Sequence, residues 1–518
     1  MSRHALWIVY LVGCMDAASS APSVENGPRY VADMPPMART WRPLEHAAPL
    51  SPSPGQLMTD GTVIFADSNG NQWWKLTPDE FGGYEHGTWS QIHDSPTDYA
   101  PLYFASATLP DGRLIVEGGE YLFGQEAWTT KGAIYDPIAD AWKAMAPPAI
   151  FNQTIGDASS IVLDDGTFLL TDCCTTKGMA LLDPVSLTWT APVGDGKADI
   201  HDEESWAKLW DGRIVTTDAN LPNDLTHSEI YDPATKLWTS AGEVPVKLAD
   251  TTSTGGGSHE VGPEMLRPDG NIVAIGATGH NALFDTATLT WSALPDLPAP
   301  PASAGAYDVA DGPGATLPNG DMLIAASPGV FNNPTHWYEL HDTTFTLLAN
   351  EPMNAPGNSS YNNFLLVLPT GEILLSDFSN RIELYTPAPG VPANAIPEIL
   401  DAPTLIGTTP EPSTAPMLTL YRGRSYTVPV HRMNGITQGA YYGDDAQSST
   451  NFPIIKVTNT TTLHAKYCRT YAHSDRSISP DEVGTTTLDI PAGLEPGLSQ
   501  LVVIANGISS APMTVNVK

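Results

Sequence analysis

The chain has 518 residues, more than one compact core usually holds, so several domains or one repeat array are expected. Charged residues make up only 16%, while Gly (44) and Pro (47) are abundant, a balance that suits a β-rich fold with many tight connections. The formal charge of −34, from 58 acidic and 24 basic residues, repels phosphate backbones and anionic lipid surfaces, which excludes nucleic acid and leaves cations and neutral glycans as partners.

Taken in chain order, the first feature is a targeting segment. Arg3 and His4 precede a short apolar run, residues 5–12, too short to span a bilayer. Leu11-Val12-Gly13-Cys14 is similar to a bacterial lipobox, so Cys14 is expected to carry a lipid and residues 15–38 to form a polar tether. Membrane contact is then expected only through that anchor, and the localisation is extracellular or cell-envelope. Three cysteines remain, Cys173, Cys174 and Cys468, too few for a disulfide-stapled scaffold. A vicinal disulfide at Cys173-Cys174 is sterically demanding, so two reduced thiols are the expectation.

From residue 39 a repeat begins. Apolar runs meet at Asp60-Gly61, Asp111-Gly112, Asp165-Gly166, Asp211-Gly212, Asp269-Gly270, Asn319-Gly320 and Thr370-Gly371. Such pairs favour two-residue hairpin turns, because Gly and Asn tolerate positive φ. A second landmark keeps the same register: Asp136, Asp183, Asp232 and Asp285 are each followed six residues later by Trp142, Trp189, Trp238 and Trp291. These tryptophans read as core, packing between repeats. The seventh repeat ends at Leu384-Tyr385-Thr386-Pro387 without its last strand, and Thr40-Trp41-Arg42-Pro43-Leu44 reads as the missing piece. Ring closure of this kind protects edge strands. A period of about 50 residues is that of kelch propeller blades. After a Pro-rich linker, residues 387–397, short alternating runs to Lys518 read as a sandwich. The expected fold is all-β: a seven-bladed kelch-type β-propeller over residues 39–387, and a C-terminal immunoglobulin-like (early-set) β-sandwich over 388–518.

Those repeats, with the stretches at 451–459 and 494–509, resemble the galactose oxidase and glyoxal oxidase family over most of the chain, and resemble bacterial kelch-repeat proteins of unassigned activity more closely. The resemblance implies a copper ion held by two tyrosines and two histidines, with a Cys–Tyr thioether. By position the tyrosines are Tyr103 and Tyr361, and the aromatic over the cross-link falls near Tyr121. The cysteine position holds Ser53, one histidine position holds Asn362, and the other falls at Gly443 and Asp444. Copper-radical chemistry is therefore not expected, since Cu(II) favours imidazole ligands.

Residues nine or ten positions before each turn glycine should converge on one face: Tyr103, Asp157, Glu203, Glu260, Asp311 and Tyr361. Their neighbours are His201, Asp202, Glu204, His259, Tyr307, Asp308 and Asn362. Three readings stay open. The face is a solvated funnel; or a divalent-metal site for Ca, Mn or Zn, with Glu203, His259 and Glu260 as candidate ligands; or a glycan site using tyrosine stacking. Where kelch repeats end their second strand in Gly-Gly, only Gly118-Gly119 does so here. Asp67, Asp172, Asp218 and Asp377 stand elsewhere and are expected to cap the following turn. The expected function is a monomeric, non-catalytic surface protein binding a glycan or other envelope component, with no obligatory cofactor. The alternatives are a carbohydrate-active enzyme (a metal-assisted hydrolase or lyase, or an oxidoreductase with a divergent site) and a purely structural or adhesive protein.

Overall fold

The computed structural model describes residues 39–221, 225–250, 258–300, 306–407, 417–442 and 448–518. Cys14, the tether to residue 38, and Gly443 and Asp444 lie outside the described residues. The fold is all-β, with only three short 3-10 turns among the described residues.

Six antiparallel sheets are each built around four strands taken in chain order, beginning with Gln56–Leu57, Ala105–Thr108, Ser160–Val162, Ala207–Lys208, Glu264–Leu266 and Gly314–Thr316; the second passes over the short strands Tyr121–Leu122 and Gln125–Glu126, and the sixth gains a fifth strand, Ala440–Tyr441. A seventh combines Phe364–Val367, Ile373–Ser376 and Glu383–Thr386 with Thr40–Pro43, from the opposite end of the described chain. The first two strands of each sheet are buried throughout, while the fourth is mostly solvated. An apolar cluster fills each space between neighbours. The one joining seventh to first holds Leu366, Leu374 and Leu384 against Leu57, Val63 and Phe65. Hydrogen bonds run around the same circuit: Thr108 Oγ1 to the Leu57 carbonyl, the Gly119 N–H to the Gly156 carbonyl, Ser159 Oγ to Glu204, the Glu264 N–H to Ser205 Oγ, Thr316 Oγ1 to Leu266, Ser360 Oγ to Ala310, and Ser376 Oγ to Ser53. The sheets therefore follow one another in a closed circle.

Local chemistry explains the repeat. Each turn glycine donates its N–H to the carbonyl three residues back at 2.9–3.1 Å and sits at φ between +77° and +93°. The loop has three residues, not the expected two: a type I turn followed by a bulged glycine. The preceding Asp or Asn accepts the N–H two residues on, as Asp60 does from Thr62 and Asn319 from Asp321. That side-chain bond stabilises the type I form, which accounts for the extra residue. The Trp landmark also has two parts. Trp142 packs at a tilt on Tyr135 in its own hairpin, ring centroids 5.1 Å apart, and its indole N–H donates to the His93 carbonyl, just past the last strand of the preceding sheet, at 2.9 Å.

Trp41 lies 4.9 Å from both Trp337 and Tyr385, and Arg42 pairs with Glu372 and Glu85. Trp41→Ala is expected to cost about 3 kcal/mol, the lower end for a large aromatic because the ring is only half-buried. Urea unfolding checks this; a loss well under 1 kcal/mol would mean that closure does not hold the ring.

Beyond residue 397, two sheets share one apolar core. Tyr426, Val428 and Val430 from Arg424–His431 meet Ile455 and Val457 from Ile454–Asn459, and Leu501 and Val503 from Gly497–Ala505. One segment leaves this body and enters the ring. Ala440–Tyr441 pairs with Gly314–Thr316, Gln438 Oε1 accepts the Lys208 N–H, and the Tyr441 hydroxyl accepts the Leu266 N–H.

Candidate functional site

The loops leading into the first strands gather on one face. Tyr103, Glu203 and Asp311 occupy the same repeat position and take φ of +50°, +60° and +47°, a left-handed conformation unusual for side-chain-bearing residues. Asp202, Glu203 and His259 place one ligand atom each within 4.8 Å of one another. His259 Nε2 lies 3.4 Å from Asp202 Oδ2, and this contact raises the imidazole pKa against the opposing effect of burial. Glu260 follows; burial raises its pKa, and its carbonyl accepts the Asp311 N–H at 3.2 Å. Burial first, then Asp202 and Glu260, push Asp157 up to about 7. Glu120 also reaches about 7, through burial and then Asp157. These groups share one field, so adding negative charge costs each of them.

An aromatic cluster adjoins the carboxylates. The Tyr103 ring is 6.2 Å from Tyr121, Phe378 and Tyr442, and 6.1 Å from Phe364. The Tyr442 hydroxyl donates to the Tyr361 carbonyl at 2.6 Å and lies 3.4 Å from Asp311 Oδ2. Phe331, 44% exposed, stands edge-on to Tyr361 at 5.4 Å. Burial raises Tyr121 to about 12, helped by its hydrogen bond to Glu120, so the acidic and aromatic halves meet there.

The structure thus brings together Tyr103, Asp157, Glu203, His259, Glu260, Asp311, Tyr361 and Asn362, and withdraws four expected members. Tyr307 is 2% exposed and packs on His336 at 5.4 Å, because the chain there enters the apolar core between the fifth and sixth sheets. Asp308 is buried beside it, its backbone bonded to Ser327. His201 is fully buried between Trp206 and Trp238, at 5.7 and 5.8 Å. Glu204 turns inward with it. Glu120, Tyr442 and Phe331 were not anticipated. Glu120 follows the lone Gly-Gly pair, and Gly118 is required there: a Cβ would come within 2.3 Å of the Gly156 carbonyl. Tyr442 arrives on the strand-forming segment from the C-terminal body.

Beneath the face lies a second charge group. Lys197 Nζ contacts Asp199, Glu204 Oε1 (2.8 Å), Asp218 Oδ1 (3.0 Å) and Glu229 Oε2 (2.7 Å), all with side chains at most 4% exposed. Burial opposes the charge on Lys197, but the four carboxylates, Glu204 foremost, hold its pKa well above the usual value. Glu204 Oε2 and His201 Nδ1 have no hydrogen-bond partner and stand 3.6 Å apart. Asp218 therefore does not cap its turn as expected, but binds Lys197 and His227. Asp67, Asp172 and Asp377 do cap theirs. Cys173 and Cys174, expected reduced, form a disulfide within the turn that Asp172 caps.

The described residues at the oxidase-like positions differ from the thioether and histidine set that the resemblance implies. Tyr103 and Tyr361 share the aromatic cluster, but the Ser53 hydroxyl donates to the Ala66 carbonyl and offers no thioether. The Asn362 carboxamide accepts the Ser359 N–H within a 3-10 turn.

No family model matches the chain. The kelch-like protein terF of Aspergillus terreus is 33% identical over 85 residues, which span 16% of this chain and 18% of that protein. Among solved structures, a fungal alcohol oxidase of the AA5 family in complex with copper aligns over 92% of this chain and 99% of its own, with a TM-score of 0.50 at 14% identity. YCF48 bound to a D1 peptide aligns over 67% of this chain and 97% of its own, with a TM-score of 0.43 at 12% identity. The first two support a galactose-oxidase-like, kelch-type β-propeller fold.

Proposed function

We propose that residues 39–387 are a seven-bladed propeller and residues 388–518 an immunoglobulin-like sandwich, and that the loop face binds a hydroxyl-rich ligand of the glycan class. A divalent cation held by Asp202, Glu203 and His259 would take part. The observation that carries this reading is the triad within 4.8 Å, beside half-exposed aromatic rings. Two carboxylates and an imidazole suit Zn²⁺ or Mn²⁺ better than Ca²⁺, which prefers oxygen alone. Tyr361 and Phe331 would stack on sugar rings, and Glu260 and Asp157 would accept hydroxyl hydrogen bonds. Export, with lipid attachment at Cys14, belongs to the same reading and is supported by the apolar run and lipobox-like residues before that cysteine.

A second reading, metal-assisted hydrolysis or elimination on the same ligand, is favoured by Asp157 and Glu120. Carboxyl groups at about 7 can serve as acid or base near neutral pH.

Metal content after incubation with Mn²⁺ or Zn²⁺ and dialysis, followed by glycan binding with and without chelator, separates the possibilities. Glu203→Gln and His259→Ala are each expected to weaken cation binding by roughly tenfold to a hundredfold. Retention of no divalent cation, together with glycan binding indifferent to both changes, would sink the proposal. Turnover lost in Asp157→Asn with binding retained would establish the enzymatic reading.

A further inference from the structure

The rim of the acidic face carries a covalent feature that the proposed ligand site does not use. Asp157 precedes Ser160–Val162, while Cys173-Cys174 follow Phe168–Leu170, the strand paired with it. The three ligand-bearing side chains come within 4.8 Å of one another. The Asp172 carboxylate accepts the N–H groups of Cys174 and Thr175, both at 2.8 Å, and so holds the turn. On the other side Cys173 Sγ packs directly on Gly156, where a Cβ would come within 2.5 Å of the sulfur. Asp157 Oδ1 is buried and has no hydrogen-bond partner. A buried carboxylate oxygen is rarely left so unless some group completes it. Cys173 is fully buried but Cys174 is only half-buried, so a small reagent can reach the bond.

We propose that the Cys173–Cys174 disulfide closes a soft-metal site at the rim of the acidic face, and that reduction by a dithiol opens it to one thiophilic divalent cation. Exchange with the dithiol breaks the protein S–S bond. It leaves two protein thiols and converts the reductant to its own disulfide, a two-electron transfer with no net proton uptake. The cation then displaces the thiol protons and binds two sulfurs and the Asp157 carboxylate. Thiolate pairs select Zn²⁺ or Cd²⁺ over Mn²⁺ and Ca²⁺. The site is thus chemically distinct from Asp202, Glu203 and His259, which offer no sulfur. Oxidised, Asp157 is available to the ligand face; reduced and metal-loaded, it is committed to the metal.

The test uses the full chain, reduced with a trialkylphosphine, which takes oxygen from water as the disulfide gains two protons, and then freed of reagent. Cd²⁺ is titrated while the thiolate-to-cadmium charge-transfer absorption is followed. One equivalent of band-forming Cd²⁺ is expected after reduction and none before it. Cys468 is buried, with its thiol pushed up to about 12, so Cys468→Ser should leave the band intact. Cys173→Ser and Cys174→Ser should abolish it, Cys14→Ser should not, and Asp157→Asn should weaken Cd²⁺ binding by roughly tenfold or more while reduction still adds two titratable thiols. Phenylarsine oxide, which bridges adjacent thiols, keeps the question decidable if a serine variant misfolds: capture by reduced wild type supports the site. A band that survives in Cys174→Ser, or reduced wild type that has gained two titratable thiols and shows no band, overturns the proposal. Neither result bears on the Mn²⁺ or Zn²⁺ content of the oxidised protein, so this site and the triad fail or stand separately.

Discussion

Lys197→Met is expected to destabilise the protein by about 3–5 kcal/mol, the range for removing one partner of a buried ion pair. The change is close in volume and leaves the apolar stem in place, so lost packing is not the cause. What remains is Asp199, Glu204, Asp218 and Glu229 facing one another with side chains at most 4% exposed, with His227 on Asp218 and backbone N–H groups on Asp199 and Glu229 in place of the ammonium. Protonation relieves part of the strain, so the deficit should shrink as pH falls. Lys197→Met combined with Glu204→Gln should recover part of the loss, because one carboxylate then carries no charge. Urea unfolding at neutral pH measures all three chains. A deficit below about 1 kcal/mol would mean that the cluster is already neutralised without the ammonium. The same loop carries Asp202 and Glu203, so cation affinity at the triad should fall with Lys197→Met even though Lys197 does not touch it.

Stability should decline as pH rises from about 5 to 8. Burial, the largest cause in each case, lifts Glu120, Asp157, Asp218 and Asp308 to about 7, and Glu264 and Glu482 to about 8. A carboxyl group raised in the folded state binds its proton more tightly there than in the unfolded chain. Its contribution is complete below the unfolded value near 4 and is lost as pH climbs through the folded value. His201 and His473 act in the opposite sense, because burial holds both well below 6.5 and folding becomes harder as the unfolded chain protonates. Two such histidines do not offset six carboxyl groups, and the formal charge of −34 adds repulsion in the same direction. After discounting for relaxation, a decline of a few kcal/mol is expected. Thermal midpoints at pH 5 and pH 8 and constant ionic strength check it. A midpoint at pH 8 equal to or above that at pH 5 would show that these groups do not hold protons in the folded state.

The acidic face shows how far pattern reading reaches. Counting back from each turn glycine located Glu203 and Asp311, because a repeat places equivalent residues equivalently around a ring. Extending the count to the neighbours of those residues enrolled Tyr307 and His201, which point inward. One residue along an extended chain changes the side that a side chain faces, and spacing of nine or ten does not resolve that difference. Asp218 was misread for a related reason. Its siblings Asp67, Asp172 and Asp377 cap their own turns, and nothing adjacent in the chain announces that Lys197 lies within reach.

The amino-acid sequence alone determined the all-β character, the period and the turns. Those depend on contacts within a few residues: an Asp side chain on the N–H two positions on, a glycine at positive φ, a Trp on its hairpin partner. Tertiary structure alone decided which distant groups share a field. Asp202 meets His259, Lys197 meets Glu229, Asp157 meets the cysteine pair, and Tyr442 reaches Tyr361 from the C-terminal body. Coulombic and ligand interactions act over a few ångströms in space, whatever the separation along the chain, and only the pairing of strands and the packing of sheets bring these groups within that distance.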